Sequence, residues 1–180
     1  RVILSSSAAV YGDADGFPSS PYGRHKLINE MECKLFSKLY GLDTICLRYF
    51  NVYSEDQQCG GSYSTVIATW MEMIRQNKPL RIDGDGYQSR DFVHVDDVVR
   101  ANVMAAISNQ DNEYYGEVYN VGSGVNYSVN EIAAMISKNT TNISPRPGEC
   151  RVTLANCDKI KEAFGWSAKT NLEEWINGKK

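Results

Sequence analysis

Tyr22 and Lys26 are the side chains of this 180-residue sequence whose types and spacing point most directly to catalysis. They are four residues apart in the segment SPYGRHK (20–26), so in a helix they share one face, one turn apart. A phenol is a poor base at neutral pH because its ordinary pKa is about 10, but a positive charge beside it favours the phenolate. Tyr22 can then act as a general acid or base that Lys26 tunes. Such a pair also arises by chance on ordinary helix faces, so its surroundings must decide.

Three further stretches, each at the end of a predicted strand or turn, surround this pair in a fixed order. They read RVILSSSAAVYG (1–12), LRYFNVY (47–53) and GDGYQSRDFVHVDD (84–97). Together with the Tyr–Lys segment, this set resembles the extended short-chain dehydrogenase/reductase family, and within it the NAD-dependent epimerases and dehydratases of nucleotide sugars such as UDP-glucose 4-epimerase. The resemblance extends from the first residue to about Trp166.

The resemblance implies a role for particular residues of this chain. Catalysis would use three residues: Ser7, Tyr22 and Lys26. The cofactor NAD would contact Ser5, Ser6, Tyr22, Lys26 and Phe50, and the nucleotide sugar would contact Ser7, Asn51, Arg90, Arg146 and Glu149. Two general arguments agree with these roles. Ligands of parallel sheets bind at the carboxyl ends of strands, where the serines and Asn51 lie, and the planar fork of an arginine such as Arg90 matches phosphate oxygens.

The predicted fold class is α/β, with the C-terminal part of a Rossmann-like parallel sheet and a smaller α/β substrate-binding domain. Residues 1–52 would be the remainder of the dinucleotide-binding domain, and 53–180 mainly the nucleotide-sugar-binding domain, with 92–121 able to return to the first. The sequence contains no GxxGxxG segment, the glycine-rich loop that brings a dinucleotide close to a helix N-terminus. We therefore expect a piece of a longer enzyme that is inactive and binds NAD weakly by itself.

Local patterns predict the individual elements. Val2–Leu4 and residues 44–48 are typical of buried strands, and residues 80–82 and 117–121 of further strands. Pro21 to Tyr40 has the periodicity of a long amphipathic helix, with Gly41 as its stop. Further helices are expected at 63–76, at 98–107 with Asp96 or Asp97 as the cap, at 128–138 with a Ser128/Glu131 capping box, and near 156–164 and 172–175.

Composition excludes several classes of partner. The formal charge of −3 and the pI near 5.4 disfavour a nucleic-acid binder, and no run is apolar enough for a membrane span. The five cysteines form no CxxC and the two histidines are far apart, so we expect reduced thiols, a cytoplasmic location and no metal. The resemblance adds a homodimer formed through the helix that carries Tyr22.

The predicted activity is 4-epimerisation of a nucleotide-linked hexose, because no carboxylate is present at the strand end to remove a C5 proton.

 Nucleotide-sugar 4,6-dehydratases and decarboxylases, the nearest enzymatic alternative, need a carboxylate just after the strand-end serine, and this chain has Ser7, Ala8 and Ala9 there. A third alternative is a non-catalytic module that binds a nucleotide sugar.

Overall fold

The computed structural model describes residues 1–12, 16–57, 59–60, 64–108, 115–145 and 150–178. Its strands are interspersed with helices along the chain, as expected for an α/β protein. In chain order they are β1 (Val2–Ser7), α1 (Pro21–Tyr40), β2 (Thr44–Tyr49), β3 (Asn51–Tyr53), α2 (Val66–Arg75), β4 (Leu80–Asp83), β5 (Ser89–His94), α3 (Val95–Ile107), β6 (Glu117–Val121), β7 (Asn126–Ser128), α4 (Val129–Ile136), β8 (Thr140–Ile143), α5 (Asp158–Phe164) and α6 (Leu172–Asn177).

The first sheet is parallel, with the strand order β1–β2–β6. Side chains of β2 alternate between its two faces. On one face, Thr44 and Arg48 bond to side chains of α1, and on the other, Ile45 and Leu47 pack in a core cluster with residues of α3. Helices α1 and α3 therefore cover opposite faces of this sheet, which is the layering of a Rossmann-like domain.

One prediction about burial in this region is wrong. Strand β1 is not a buried strand: it lies at an edge of the sheet, Val2 is 44% exposed, and only Ser6 of the strand is buried. The apolar stripe of α1 is exposed at Met31 and Leu39. The buried residues of α1 are instead Gly23 and Glu30.

Helix ends follow the local signals at most positions. The side chain of Ser20 caps α1 ahead of Pro21, and the helix stops at Gly41 in the left-handed conformation with a φ of 63°. The capping box of Ser128 and Glu131 forms at α4. The predicted cap of α3 is wrong: His94 is its N-cap, and the His94 ring accepts a hydrogen bond from the Asp96 amide.

The second half of the fold has its own core. Strand β5 pairs in parallel with β3 and antiparallel with β7, and β4 pairs in parallel with β8, a strand that the sequence patterns did not predict. Helices α2, α4 and α6 contribute apolar side chains to a common cluster that includes Trp70, Ile132 and Ile176. None of the helices in the described ranges is long and apolar enough to cross a membrane.

Candidate functional site

The carboxyl end of β1 meets the first turns of α1. A Cβ atom on Gly23 would lie 2.4 Å from the carbonyl oxygen of Ala9, so only glycine permits this close approach. One turn further on, the Lys26 ammonium donates a hydrogen bond of 2.7 Å to the carbonyl oxygen of Ser5. The same nitrogen lies 5.7 Å from the centroid of the Tyr22 ring. The fold therefore brings the Tyr–Lys pair to the strand end that carries the serines.

The three serines at this strand end have different surroundings. The Ser5 hydroxyl lies 3.1 Å from the hydroxyl of Tyr49, and the Ser7 hydroxyl accepts a hydrogen bond of 3.2 Å from the Ala9 amide. Ser6 is buried, and its hydroxyl donates to Glu30 of α1. The structure thus does not bring the Ser6 side chain to the edge, because alternation along the strand directs it into the layer between sheet and helix.

An aromatic pair lies beside the strand ends. Phe50 follows β2 directly and is 7% exposed, and its ring centroid is 6.4 Å from that of Tyr11. The Tyr11 hydroxyl donates a hydrogen bond of 2.7 Å to the side chain of Asn120. An ammonium group and aromatic rings at the carboxyl ends of parallel strands suit the nicotinamide end of a dinucleotide. Lys26, Tyr22 and Phe50 are therefore described residues that could contact a dinucleotide.

A cleft of about 250 Å³ lies on the other side of Asn51. Arg90 lines it together with Arg81, Asp83 and Trp70. The Asn51 amide donates to the carbonyl oxygen of Asp91 at 2.8 Å, which fixes the asparagine against β5. The cleft brings together two predicted substrate contacts, Asn51 and Arg90, while the other two, Arg146 and Glu149, lie outside the described residues.

Asp91 is a residue of this site that the sequence patterns did not single out. It is fully buried, and its carboxylate accepts hydrogen bonds from the backbone amides of Ser123 at 2.7 Å, Gly124 at 2.9 Å and Ala155 at 3.0 Å. It thereby joins β5 to two distant segments of the chain beside Arg90. In the sequence, only its position next to Arg90 could have drawn attention to it, since its partners lie 32 to 64 residues away.

Within the described ranges, no group of three or more histidine, cysteine or acidic side chains is placed to hold a metal ion. All five cysteines are free thiols. Burial is the main reason that the pKa of the Cys46 thiol is raised, so this thiol is a poor nucleophile.

The alternating layers of helix and parallel sheet define an α/β protein of the Rossmann type. The family model described as "NAD dependent epimerase/dehydratase family" matches residues 1–122. The chain belongs to this family. The resemblance found in the sequence and the predicted α/β fold class are therefore confirmed.

Individual relatives agree with the family. A protein of Methanocaldococcus jannaschii, named provisionally as a UDP-glucose 4-epimerase, is 36% identical over 97% of this chain and 60% of its own length. The structure of a UDP-glucose 4-epimerase from Thermotoga maritima with UDP-glucose has a TM-score of 0.87 and 35% identity, over 97% of this chain and 60% of that one. A UDP-glucuronic acid 4-epimerase from Bacillus cereus, in complex with UDP-glucuronic acid and NAD, has a TM-score of 0.87 and 30% identity, over 97% and 58%. The chain thus spans about 60% of the length of these relatives.

Proposed function

We propose that this chain supplies the catalytic edge and the nucleotide-sugar cleft of a UDP-hexose 4-epimerase that works with NAD. One observation carries the proposal: the Lys26 ammonium and the first turn of α1, which contains Tyr22, are fixed against the Ser5–Ala9 end of β1. The names of the relatives support the reaction and the substrate class.

Each group at the edge would have a distinct task. Tyr22 would remove the proton of the C4 hydroxyl and later return it, and Lys26 would favour the phenolate that accepts this proton. Ser7 would hydrogen-bond the reacting hydroxyl. NAD, when bound, would accept a hydride from C4 of the sugar and give it back to the opposite face.

The cleft would hold the nucleotide. Arg90 offers a guanidinium that matches diphosphate oxygens, and Asn51 lies beside it. Arg146 and Glu149 remain predicted contacts. The described residues enclose a volume of about 250 Å³, close to the lower end of the range of roughly 300–1,000 Å³ for ligand pockets. A firmly held nucleotide would leave the hexose free to turn between the two hydride transfers.

The organisation of the whole enzyme is also proposed. Residues 1–52 and 92–121 would belong to the dinucleotide-binding part and most of 53–180 to the nucleotide-sugar-binding part, a division supported by the pairing of β6 with β2. The exposed apolar stripe of α1 supports a homodimer formed through this helix.

We further propose a cytoplasmic enzyme, since its cysteines are free thiols.

A Tyr22→Phe substitution in the enzyme that contains this chain tests the proposal. Loss of the acid–base group should lower the turnover of UDP-glucose by about 10²- to 10⁴-fold, while calorimetry should give a nearly unchanged dissociation constant for UDP. Tyr40→Phe is the matched control, because Tyr40 lies on the same helix and is 72% exposed. Preserved turnover in Tyr22→Phe would contradict the assignment of Tyr22.

Separate titrations with UDP-glucose and NAD distinguish the enzyme from a binding module. The proposed epimerase should bind both ligands and interconvert UDP-glucose and UDP-galactose. Binding of the sugar nucleotide without NAD binding or turnover would favour the non-catalytic module instead.

A further inference from the structure

Glu30 is a buried carboxylate on the same helix as Tyr22 and Lys26, outside every role given so far. It is 4% exposed, although charged side chains are rarely buried unless they are paired. Its two oxygens accept hydrogen bonds from Arg48 of β2, at 2.9 Å from Nε and 2.6 Å from the terminal nitrogen. It also accepts a hydrogen bond from the Ser6 hydroxyl of β1. One carboxylate therefore joins α1 to two neighbouring strands.

The points of attachment lie directly before the site residues. Ser6 precedes Ser7 in β1, and Arg48 is two residues before Phe50. Glu30 follows Lys26 by about one turn of a continuous helix, and a helix is stiff over this distance. Because Glu30 is bonded to both strands, it sets the position of Lys26 and of the preceding helix turn relative to the end of β1.

Arg48 extends this connection to the aromatic pair. Its guanidinium lies 4.6 Å from the centroid of the Tyr11 ring. Burial alone would lower the pKa of Arg48, but hydrogen bonding with Glu30 and Tyr11 outweighs it, and the net shift is upward. Arg48 therefore stays charged at every physiological pH. An ion pair in the interior must offset the loss of hydration of both charges, so it is a weak source of stability compared with apolar packing.

We propose that Glu30 is a positioning residue of the active site, which holds Lys26 and Tyr22 in register with the end of β1. The proposal rests on the proposed epimerase function for its catalytic consequence. Its structural part, the position of Lys26 against Ser5, can be measured without any turnover.

The first experiment compares the chemical acetylation rate of Lys26 with that of Lys34 and Lys38 on the same helix, by mass spectrometry. Loss of register in Glu30→Gln removes the Lys26–Ser5 hydrogen bond, worth roughly 1 kcal/mol, so the relative rate at Lys26 should rise about fivefold. Asp85→Asn is the control, because its ion pair with Arg151 is exposed and distant in sequence from α1. It should leave the Lys26 rate unchanged.

The second experiment measures the kinetics of the same variants in the enzyme that contains this chain. Glu30→Gln should lower kcat by about 10- to 100-fold, the usual scale for a misplaced catalytic group, with KM for UDP-glucose changed less than about twofold because the cleft is untouched. Ser6→Ala removes only one of the three hydrogen bonds and should show a smaller decrease in kcat.

The outcomes separate the two proposals. An unchanged Lys26 rate and an unchanged kcat in folded Glu30→Gln would overturn the positioning role, even if the melting temperature falls. A wild-type enzyme without epimerase activity would overturn the proposed function, while the labelling result would still decide the role of Glu30. If Glu30→Gln does not fold, Arg48→Lys takes its place, since lysine keeps the charge but loses the bidentate contact. Arg48→Lys should raise the acetylation rate of Lys26 and lower kcat. No change in either quantity would overturn the proposal.

Discussion

Two regions of the molecule bury their apolar residues very differently. The sheet region, formed by β1, β2, β6, α1 and α3, leaves large apolar side chains exposed on both of its helices: Ile28, Met31, Leu35, Leu39 and Tyr40 on α1, and Val99, Val103 and Ile107 on α3. In the cleft region, formed by α2, β4, α4, β8 and α6, the described helices expose only Ile74 among their large apolar residues. The cleft region is thus closed around its own core, whereas the helices of the sheet region offer faces that another surface can cover.

The groups proposed for catalysis and for nucleotide binding also lie in different parts of the molecule. The proposed proton transfer uses groups on the sheet region, where α1 meets β1. The proposed nucleotide contacts lie at the cleft, between the two regions. Substitutions chosen from one region or the other should therefore change different measured quantities.

The largest expected effect is on stability, from a matched pair of truncations. Ile132→Ala in the closed core should lower the free energy of unfolding by about 2–5 kcal/mol, because Ile132 is fully buried. Ile107→Ala on α3 removes the same side chain where it is 74% exposed, so its effect should stay below about 0.5 kcal/mol. Denaturant titration measures both values. Equal losses would show that the contrast between the regions is wrong.

The next effect is on nucleotide affinity. Arg90→Gln removes a charged hydrogen-bond donor from the cleft, and a loss of about 1.5–3 kcal/mol would weaken UDP binding by about 10- to 100-fold. Calorimetry with UDP provides the measurement. Arg75→Gln is a suitable control, because Arg75 lies on α2 and its guanidinium pairs only with the exposed Glu72 in the contacts described. Unchanged affinity in Arg90→Gln would remove Arg90 from the proposed site.

A smaller effect is expected at the helix–strand contact. Alanine normally favours a helix over glycine by up to about 1 kcal/mol. Gly23→Ala should nevertheless destabilise the protein by about 1–3 kcal/mol, since the new Cβ would meet the Ala9 carbonyl at 2.4 Å and α1 must shift. Arg24→Ala, at the exposed neighbouring position, should lack this penalty. Thermal unfolding compares the two, and a stabilised Gly23→Ala protein would contradict the close contact.

The smallest effect concerns the capping box of α4. Ser128→Ala should cost about 1 kcal/mol at neutral pH. Hydrogen bonds from Ser128 lower the pKa of Glu131 below its usual 4.5, so this contribution is present above that pH and is lost as the pH falls through the lower, folded-state value. The difference in stability between wild type and Ser128→Ala should therefore shrink in acid. A difference that stays constant from pH 7 to pH 3 would show that the Glu131 carboxylate does not contribute to the stability of the cap.

Local signals predicted what local geometry decides. Pro21 and Gly41 marked the ends of α1, and Ser128 with Glu131 marked the start of α4, because each signal acts within a few residues. The edge position of β1 could not be predicted, since it depends on which strands pair beside it. Strand β8 was missed because its four residues are all exposed, so it has no alternating apolar pattern.

The candidate site shows the same limit. Tyr22 and Lys26 are one helix turn apart, so their spacing in the sequence already predicts that they lie together. Glu30 and Arg48 are 18 residues apart, and Asp91 and Ala155 are 64 apart. Such contacts depend on the packing of helices on strands and of distant loops on each other, which the sequence of either partner does not reveal.

Strand β5 has a consequence for how the molecule unfolds. Its neighbouring residues Phe92 and Val93 belong to different apolar clusters, because alternate side chains point to opposite faces of the strand. Breaking one cluster must therefore disturb the backbone of the other, so both halves should melt in a single cooperative transition. A nucleotide that binds beside Arg90, on this same strand, should then raise the melting temperature of the whole chain.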